Sequence, residues 1–373
     1  MNKFFVSAIA GLGFLLGATA CNDENAAPVA KGMECDVTLS VSAPEDFHSR
    51  AANVLYGDGA ENALTLAYAI YRSDGAIIYS SEKAGSPVAA QTAHGKWSIT
   101  ARLMSEDTYH VVFWADQFGT DAKNPYTIDF DKGTLTVDYA KSLTPENLIS
   151  DRSDAYILYT DFIAKNEMTF TMKRPFCQVN VGSNEDVIKK KDGYYHNMPT
   201  AVGLGFDGSF VSNTLPNVLN YKTGMVTGVT TPKNSPDMIT SDFDAVKYSF
   251  PVNPGVQYMY MAYILAPQSP ELWGDSNINI NKLCLRLDLG KHPFVGERRV
   301  PFFIEKMKDM FLANNRLVIV PKCVDLGDPD GPGVDPDPDP NPDPDEPGFI
   351  EDNFTVNIIF DPGFANKYNI RGN

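Results

Sequence analysis

One pattern constrains this chain above all others: apolar side chains recur at every second position in short runs, and turn residues separate the runs. A period of two sends alternate side chains to opposite faces of a strand. Glu34 to Val41 places Val37, Leu39 and Val41 on one face, and Ala63 to Tyr71 does the same with Leu64, Leu66, Tyr68 and Ile70. Trp97 to Leu103 alternates as well, while Tyr109 to Trp114 is almost continuously apolar, as in a strand covered on both faces. Thr134 to Tyr139, Met168 to Met172 and Phe176 to Val181 complete a first set. Turn signals such as Ser73-Asp74-Gly75 and Asp131-Lys132-Gly133 lie between them. A second set starts near Ala201 and takes in Tyr248 to Val252, Gln257 to Leu265, Asn277 to Leu289, Arg299 to Ile304 and Arg316 to Val320. Short helices are expected only at Thr144 to Ile149 and Glu305 to Phe311. The expected class is all-β, with two tandem β-sandwich domains over residues 31–182 and 183–326. Ser183 to Thr200 is polar and reads as a loop.

Residues 327–348 form an Asp/Pro-rich linker. Proline fixes φ and lacks an N–H, so the run reads as an extended spacer of about 3.1 Å per residue. Its carboxylates repel one another and stiffen it. Calcium loops gather oxygens around glycine turns, whereas an extended Asp-Pro ribbon spreads them apart. Beyond it, residues 349–373 hold a C-terminal strand segment with Phe354, Val356, Ile358 and Phe360 on one face. A lone strand is not stable in water, so this one must pair with a sheet. It is a candidate donor strand for another subunit. Folding back on its own domain, or belonging to a small C-terminal module, are the alternatives.

The N-terminus reads as an export signal over residues 1–20. Lys3 precedes an apolar stretch with Leu12, Phe14, Leu15 and Leu16, and small residues end it. The stretch is short and glycine-containing for a membrane-spanning helix, which needs about 20 apolar residues. Ala18-Thr19-Ala20-Cys21 resembles the bacterial lipobox, with Ala18 where leucine is commoner, so Cys21 is the expected lipidation site and residues 21–30 a tether. Asn22-Asp23-Glu24-Asn25 resembles the surface-export tag of Bacteroidota lipoproteins. The expected location is the outer membrane, lipid-anchored and exposed at the cell surface.

Composition narrows the function. The net charge is −16, of which Gly327 to Gly348 supplies about half. Phosphate-backbone binding needs clustered Lys and Arg, so nucleic acid is not an expected partner. Cys35, Cys177, Cys284 and Cys323 stand singly, with no histidine at ligand spacing, so no metal site is expected. An exported chain permits disulfides, and buried free thiols and one disulfide both remain open. No nucleophile elbow, metalloprotease, P-loop or dinucleotide motif occurs, no cofactor is implied, and no catalytic residue is assigned. His110 and Trp114 are read as core residues. Carboxylate pairs such as Glu106-Asp107 and Asp129/Asp131 fall in loops, and a glycosidase would need two at a fixed separation.

Four phrases fit one family. They are Leu66-Ala67-Tyr68-Ala69-Ile70-Tyr71, His110-Val111-Val112-Phe113-Trp114-Ala115-Asp116, Pro125-Tyr126-Thr127-Ile128-Asp129, and Met172-Lys173-Arg174-Pro175-Phe176-Cys177-Gln178-Val179-Asn180-Val181-Gly182. With the lipobox, they resemble the fimbrillin-like lipoproteins of Bacteroidota, the type V pilus superfamily. The resemblance is specific over Leu64 to Gly182 and general to about residue 330. It implies transthyretin-like sandwiches and a fimbrial or adhesion subunit. It also implies protease-triggered assembly, in which a trypsin-like cut after an Arg beyond the first strand frees that strand and another subunit's strand fills the groove. Arg50, followed by Ala51, resembles that Arg in position. The spacer departs from a stalk pilin, whose last strands follow the second domain directly. The rival expectation is a non-polymerising surface lipoprotein that binds host glycan or mucin, with aromatics such as Trp273 or Tyr194 and Tyr195 converging on one face.

Overall fold

A computed structural model describes residues 32–43, 64–144, 151–184, 190–191, 194–195, 201–206, 214–230, 256–274, 282–292, 296–305, 307–321 and 354–355. The signal segment, Cys21, Arg50, Ala51, the Asp/Pro linker, Val356, Ile358 and Phe360 lie outside the described residues.

The protein is all-β. The N-terminal strands are β1 (Glu34–Ser42), β2 (Thr65–Arg72), β3 (Ile77–Ser80), β4 (Ala90–Ala93), β5 (Lys96–Met104), β6 (Thr108–Asp116), β7 (Tyr126–Asp129), β8 (Thr134–Val137), β9 (Tyr156–Ile163) and β10 (Glu167–Thr171). After them come β11 (Phe176–Asn184), β12 (Lys190–Lys191), β13 (Tyr194–Tyr195), β14 (Ala201–Phe206), β15 (Leu215–Asn220), β16 (Met225–Thr230) and β17 (Val256–Leu265). The last are β18 (Lys282–His292), β19 (Gly296–Glu305), β20 (Arg316–Pro321) and β21 (Phe354–Thr355).

Three stacked sheets organise the first half. The middle sheet runs β3-β2-β6-β9 and is covered on both faces. Tyr68, Ile70, Val111, Phe113 and Ala115 point into one core, shared with the sheet β10-β1-β5-β4. Ala69, Tyr71, Val112 and Trp114 point into the other, shared with the sheet β16-β15-β8-β7. This explains the unbroken apolar run of β6, which has no solvent face to fill with polar residues. By contrast β1 and β5 alternate, with Val37, Leu39, Val41, Trp97, Ile99, Ala101 and Leu103 buried and their neighbours turned outward.

The two halves repeat one pairing plan. In the first, β1 lies between antiparallel β5 and parallel β10, while β2-β6-β9 form the facing antiparallel ladder. In the second, β11 lies between antiparallel β17 and parallel β20, while β14-β18-β19 form the corresponding ladder. The expected division at 182/183 falls inside β11, whose partners are all strands of the second half. The halves are fastened by a shared sheet, because β15 of the second pairs with β8 of the first. Tyr139 adds a stitch: its hydroxyl donates to the Pro216 carbonyl at 2.7 Å and accepts from the Leu265 N–H at 3.0 Å.

Helix is scarce, as expected, but displaced. The α-helix α1 covers Tyr139–Ser142, capped by the Asp138 carboxylate on the Ala140 N–H. Thr144 is not helical, and 145–150 lie outside the described residues. Where a helix was expected over Glu305 to Phe311, β19 runs on to Glu305 and only a 3-10 turn, Met307–Asp309, follows. The expected loop from Ser183 to Thr200 contains a minimal hairpin, with Lys190–Lys191 paired to Tyr194–Tyr195.

Candidate strand-exchange site

The first strand is the element on which the expected assembly chemistry would act. It is an interior strand. Along its whole length β1 is paired with β5, from Glu34↔Met104 to Ser42↔Lys96, and from Thr38 onward also with β10. Beyond the ladder, the Gly32 N–H bonds the Ser105 carbonyl at 3.0 Å, and the Ser105 N–H bonds the Met33 carbonyl at 2.8 Å. At the far end the Ala43 N–H bonds the Gly95 carbonyl, and the Met172 N–H bonds the Ser42 carbonyl. Val37 and Leu39 are 0% exposed, and Val41 and Ala43 are buried beside them against Phe113, Phe170 and Trp97. The outward face is polar: Ser40 and Ser98 are directly opposite, and Glu34 pairs with Arg102 at 3.1 Å. Cys35 on this strand and Cys177 on β11 are free thiols. Burial pushes the Cys177 thiol well up.

Two residues of the C-terminal segment are described, and both pair with their own chain. Phe354 and Thr355 pair antiparallel with Pro321 and Val320, on the edge of β20 away from β11.

A buried polar network ties the start of β9 to the lead-in of β11. Arg174, 1% exposed, leads from β10 into β11. Its Nε donates to Asp154 Oδ1 at 2.8 Å and Oδ2 at 2.9 Å. The Tyr156 hydroxyl donates to Asp154 Oδ2 at 2.7 Å and accepts from Arg174 at 2.9 Å. A buried charge must be paired and hydrogen-bonded to be tolerated, and here both charges are. The only hint in the sequence was an Arg-Pro dipeptide between two strand runs.

Asp116 organises the turn after β6. Its carboxylate accepts the Phe118 and Gly119 N–H groups at 2.7 Å and the Trp114 indole N–H at 2.6 Å. Burial raises its pKa, against those hydrogen bonds, which lower it. Trp114 is therefore a core residue, as expected. His110 is not: it is half-buried on the opposite strand position to Asp161, whose carboxylate its Nδ1 contacts, and it stacks on Tyr159. It shares a face with Val112 and Trp114 but lies near the start of β6, where that face is less covered.

Of the carboxylate pairs expected in loops, Glu106-Asp107 lies in the turn after β5, whereas Asp129 ends β7 and only Asp131 falls in the turn that follows. Asp129 is engaged by the Lys132 ammonium and N–H, both at 2.8 Å, which hold its carboxyl below its ordinary range. With Glu82 and Asp131 it lines an open cavity of about 550 Å³ beside β3. Among the described residues no group of three His, Cys, Asp or Glu side chains could hold a metal ion, and no helix is long and apolar enough to cross a membrane. Trp273, expected as a surface aromatic, packs on Phe206 and Phe311, each at 6.4 Å between ring centroids.

A family model described as a family of unknown function, DUF6562, matches residues 29–281. No curated protein matches the sequence. Solved structures similar to the chain come from Bacteroidota. A candidate adhesin of Bacteroides thetaiotaomicron is 11% identical, with 79% of this chain and 92% of that one covered and a TM-score of 0.42. A fimbrial assembly protein of Parabacteroides distasonis is 13% identical over 78% and 91% of the two chains, at a TM-score of 0.33. The fimbrial anchor protein of Porphyromonas gingivalis is 11% identical over 79% and 94%, at 0.32. The family match spans more than half of the sequence, and the chain belongs to the DUF6562 family.

Proposed function

We propose that the chain is a surface-exposed outer-membrane lipoprotein, held by a lipid on Cys21, that serves as a fimbrial or adhesion subunit and assembles by strand exchange after cleavage between Arg50 and Ala51. The observation that carries this reading is the position of β1. It is the first strand among the described residues, it is threaded between two partners, and it fills one core with Val37, Leu39, Val41 and Ala43. Once the chain is cut beyond it, β1 is held only by hydrogen bonds and packing, and its departure leaves a slot between β5 and β10. Such a slot takes an extended strand by β-augmentation, with main-chain bonds supplying affinity and alternate side chains filling the vacated pockets. The alternation of Phe354, Val356, Ile358 and Phe360 suits that role, after the short pairing of Phe354-Thr355 with β20 gives way. The lipid on Cys21 leaves with β1, so the anchor is temporary in an assembled subunit.

The test is tryptic digestion of the lipid-free protein, followed by native and denaturing electrophoresis. Cleavage after Arg50, then oligomer ladders that Arg50→Ala abolishes, is the expected result. Resistance at Arg50, or a monomer that persists after the cut, overturns the proposal.

A further inference from the structure

The repeated pairing plan can be aligned residue by residue. The Thr38 N–H of β1 bonds the Asn166 carbonyl at 2.8 Å, and the Gln178 N–H of β11 bonds the Asn315 carbonyl at 2.9 Å. Asn166 and Asn315 are thus equivalent. Both end an Ala-x-Asn sequence, Ala164-Lys165-Asn166 and Ala313-Asn314-Asn315, and both alanines are buried. Counting on from these asparagines, Thr171 corresponds to Val320 and Lys173 to Lys322.

Val320 is where the C-terminal strand docks. Its counterpart edge on β10 has no strand beside it among the described residues. Backbone groups of a strand point alternately to either side. Since Asn166 and Met172 bond β1, the groups of Glu167, Thr169 and Thr171 point the other way, and all three residues are exposed. The edge closes only at its far end, where Lys173 and Ile157 exchange hydrogen bonds. Beside it, Met168 and Leu158 are only partly buried at the margin of the core. An unpaired edge with half-covered apolar side chains is a template for another strand.

We infer that the outer edge of β10 receives the C-terminal strand, Phe354 to Phe360, of a second copy of the chain. The occupant follows from the repeat: the equivalent edge takes this same segment in its own chain. In the same register Thr355 lies opposite Thr171, the last outward-facing residue before the Lys173–Ile157 bonds close the edge. The residues between Pro321 and Phe354 far exceed the two to five that a hairpin needs, and an extended Asp-Pro run of about 3.1 Å per residue can reach a neighbour. This contact goes beyond the proposed loss of β1 and does not require it, because β10 is open while β1 is in place.

The test uses the mature chain with Cys21→Ser, whose β20 edge is occupied by its own strand, and a labelled synthetic peptide of residues 351–361. One peptide is expected to bind per chain. Thr169→Pro removes an outward N–H that β1 does not use, and should weaken binding at least tenfold, while Val318→Pro on β20 should not. Against any misfolding of the proline variant, a Thr171→Cys chain and a Thr355→Cys peptide should join under mild oxidation more readily than an otherwise unaltered chain and the same peptide. Absence of binding, binding lost through Val318→Pro alone, or no gain in cross-linking at Thr171→Cys overturns the inference.

Discussion

If β1 is the strand that leaves, the structure sets how tightly it is held once cut. Val37, Leu39 and Val41 are buried against the middle sheet. Each such side chain contributes about 1.5–3 kcal/mol relative to exposure, so ejecting β1 without a replacement costs roughly 4.5–9 kcal/mol before the ladders to β5 and β10 are counted. That is comparable to the whole stability of a domain, about 5–15 kcal/mol. A nicked chain should therefore keep its β1, with only about one molecule in 10³ to 10⁶ open at any time, at 1.4 kcal/mol per decade. Cleavage would permit exchange, and an incoming strand would have to drive it.

The perturbation that isolates this is Leu39→Ala. Leu39 has no solvent exposure, and such truncations remove about 2–5 kcal/mol, the transfer term plus a cavity. The open fraction of the nicked protein should rise by roughly one and a half to three and a half decades. Ser40→Ala, on the exposed face of the same strand, should change stability by less than about 0.5 kcal/mol. The assay places a site-specific protease sequence at Arg50-Ala51, cuts it, and follows co-elution of the β1 fragment in native size exclusion against urea. The reasoning fails if the fragment separates from the nicked wild type without denaturant, or if Leu39→Ala holds it as tightly as Ser40→Ala.

Three further outcomes follow from other parts of the fold. Asp154→Ala strands the Arg174 charge in the interior and should destabilise by about 3–5 kcal/mol in chemical denaturation, whereas the apolar pair Asp154→Leu with Arg174→Met should recover most of that loss. Gly119→Ala should cost about 1–3 kcal/mol, because Gly119 has φ of +53° and an added Cβ would sit 2.8 Å from Thr65 Oγ1; Thr65→Ala should relieve part of it. Burial pushes Tyr68 and Tyr71 from about 10 up to about 12, opposed in Tyr71 by its bond to Tyr221. A raised folded pKa favours the protonated native state, so this stability is fully present below pH 10 and lost as pH rises through 12. Tyrosinate absorbance should show two groups titrating near 12 and unfolding accompanying them.

The legible parts of the sequence were those where burial writes itself into side chains. β1 and β5 each have one covered face, so their apolar residues fall at every second position, while β2 and β6 have two, so their runs are nearly unbroken. Pairing order left no such trace. That β1 lies parallel to β10 is decided by main-chain groups that every residue carries. The same holds for β11, whose motif reads onward from β10 although its partners are β17 and β20. His110 misled because its strand is apolar around it, and only the registration with Asp161 shows it at a polar margin. Arg174 and Asp154 are joined across the end of β9, a contact that linear spacing cannot announce.

The repeat also explains why exchange should involve the first half alone. β1 and β11 hold equivalent places, each flanked by one antiparallel and one parallel partner. What differs is how each is tied down. β11 is entered through Arg174-Pro175, and Arg174 is clamped by Asp154 and Tyr156 in the interior. Pulling β11 from its slot would drag a buried ion pair into water, beyond the loss of Phe176, Cys177 and Val179 from the core. β1 has no buried charge: its end contacts are backbone hydrogen bonds at Gly32, Met33, Ser42 and Ala43. After a cut at Arg50 it would be the end of a separate segment, whereas β11 stays continuous on both sides. A chain nicked on either side of β11, between Asn184 and Ala201 or at Lys173-Arg174, should thus retain it in denaturant that already strips β1 from an Arg50-nicked chain. Loss of both strands at one midpoint would refute the asymmetry and return Arg174 to a purely local role.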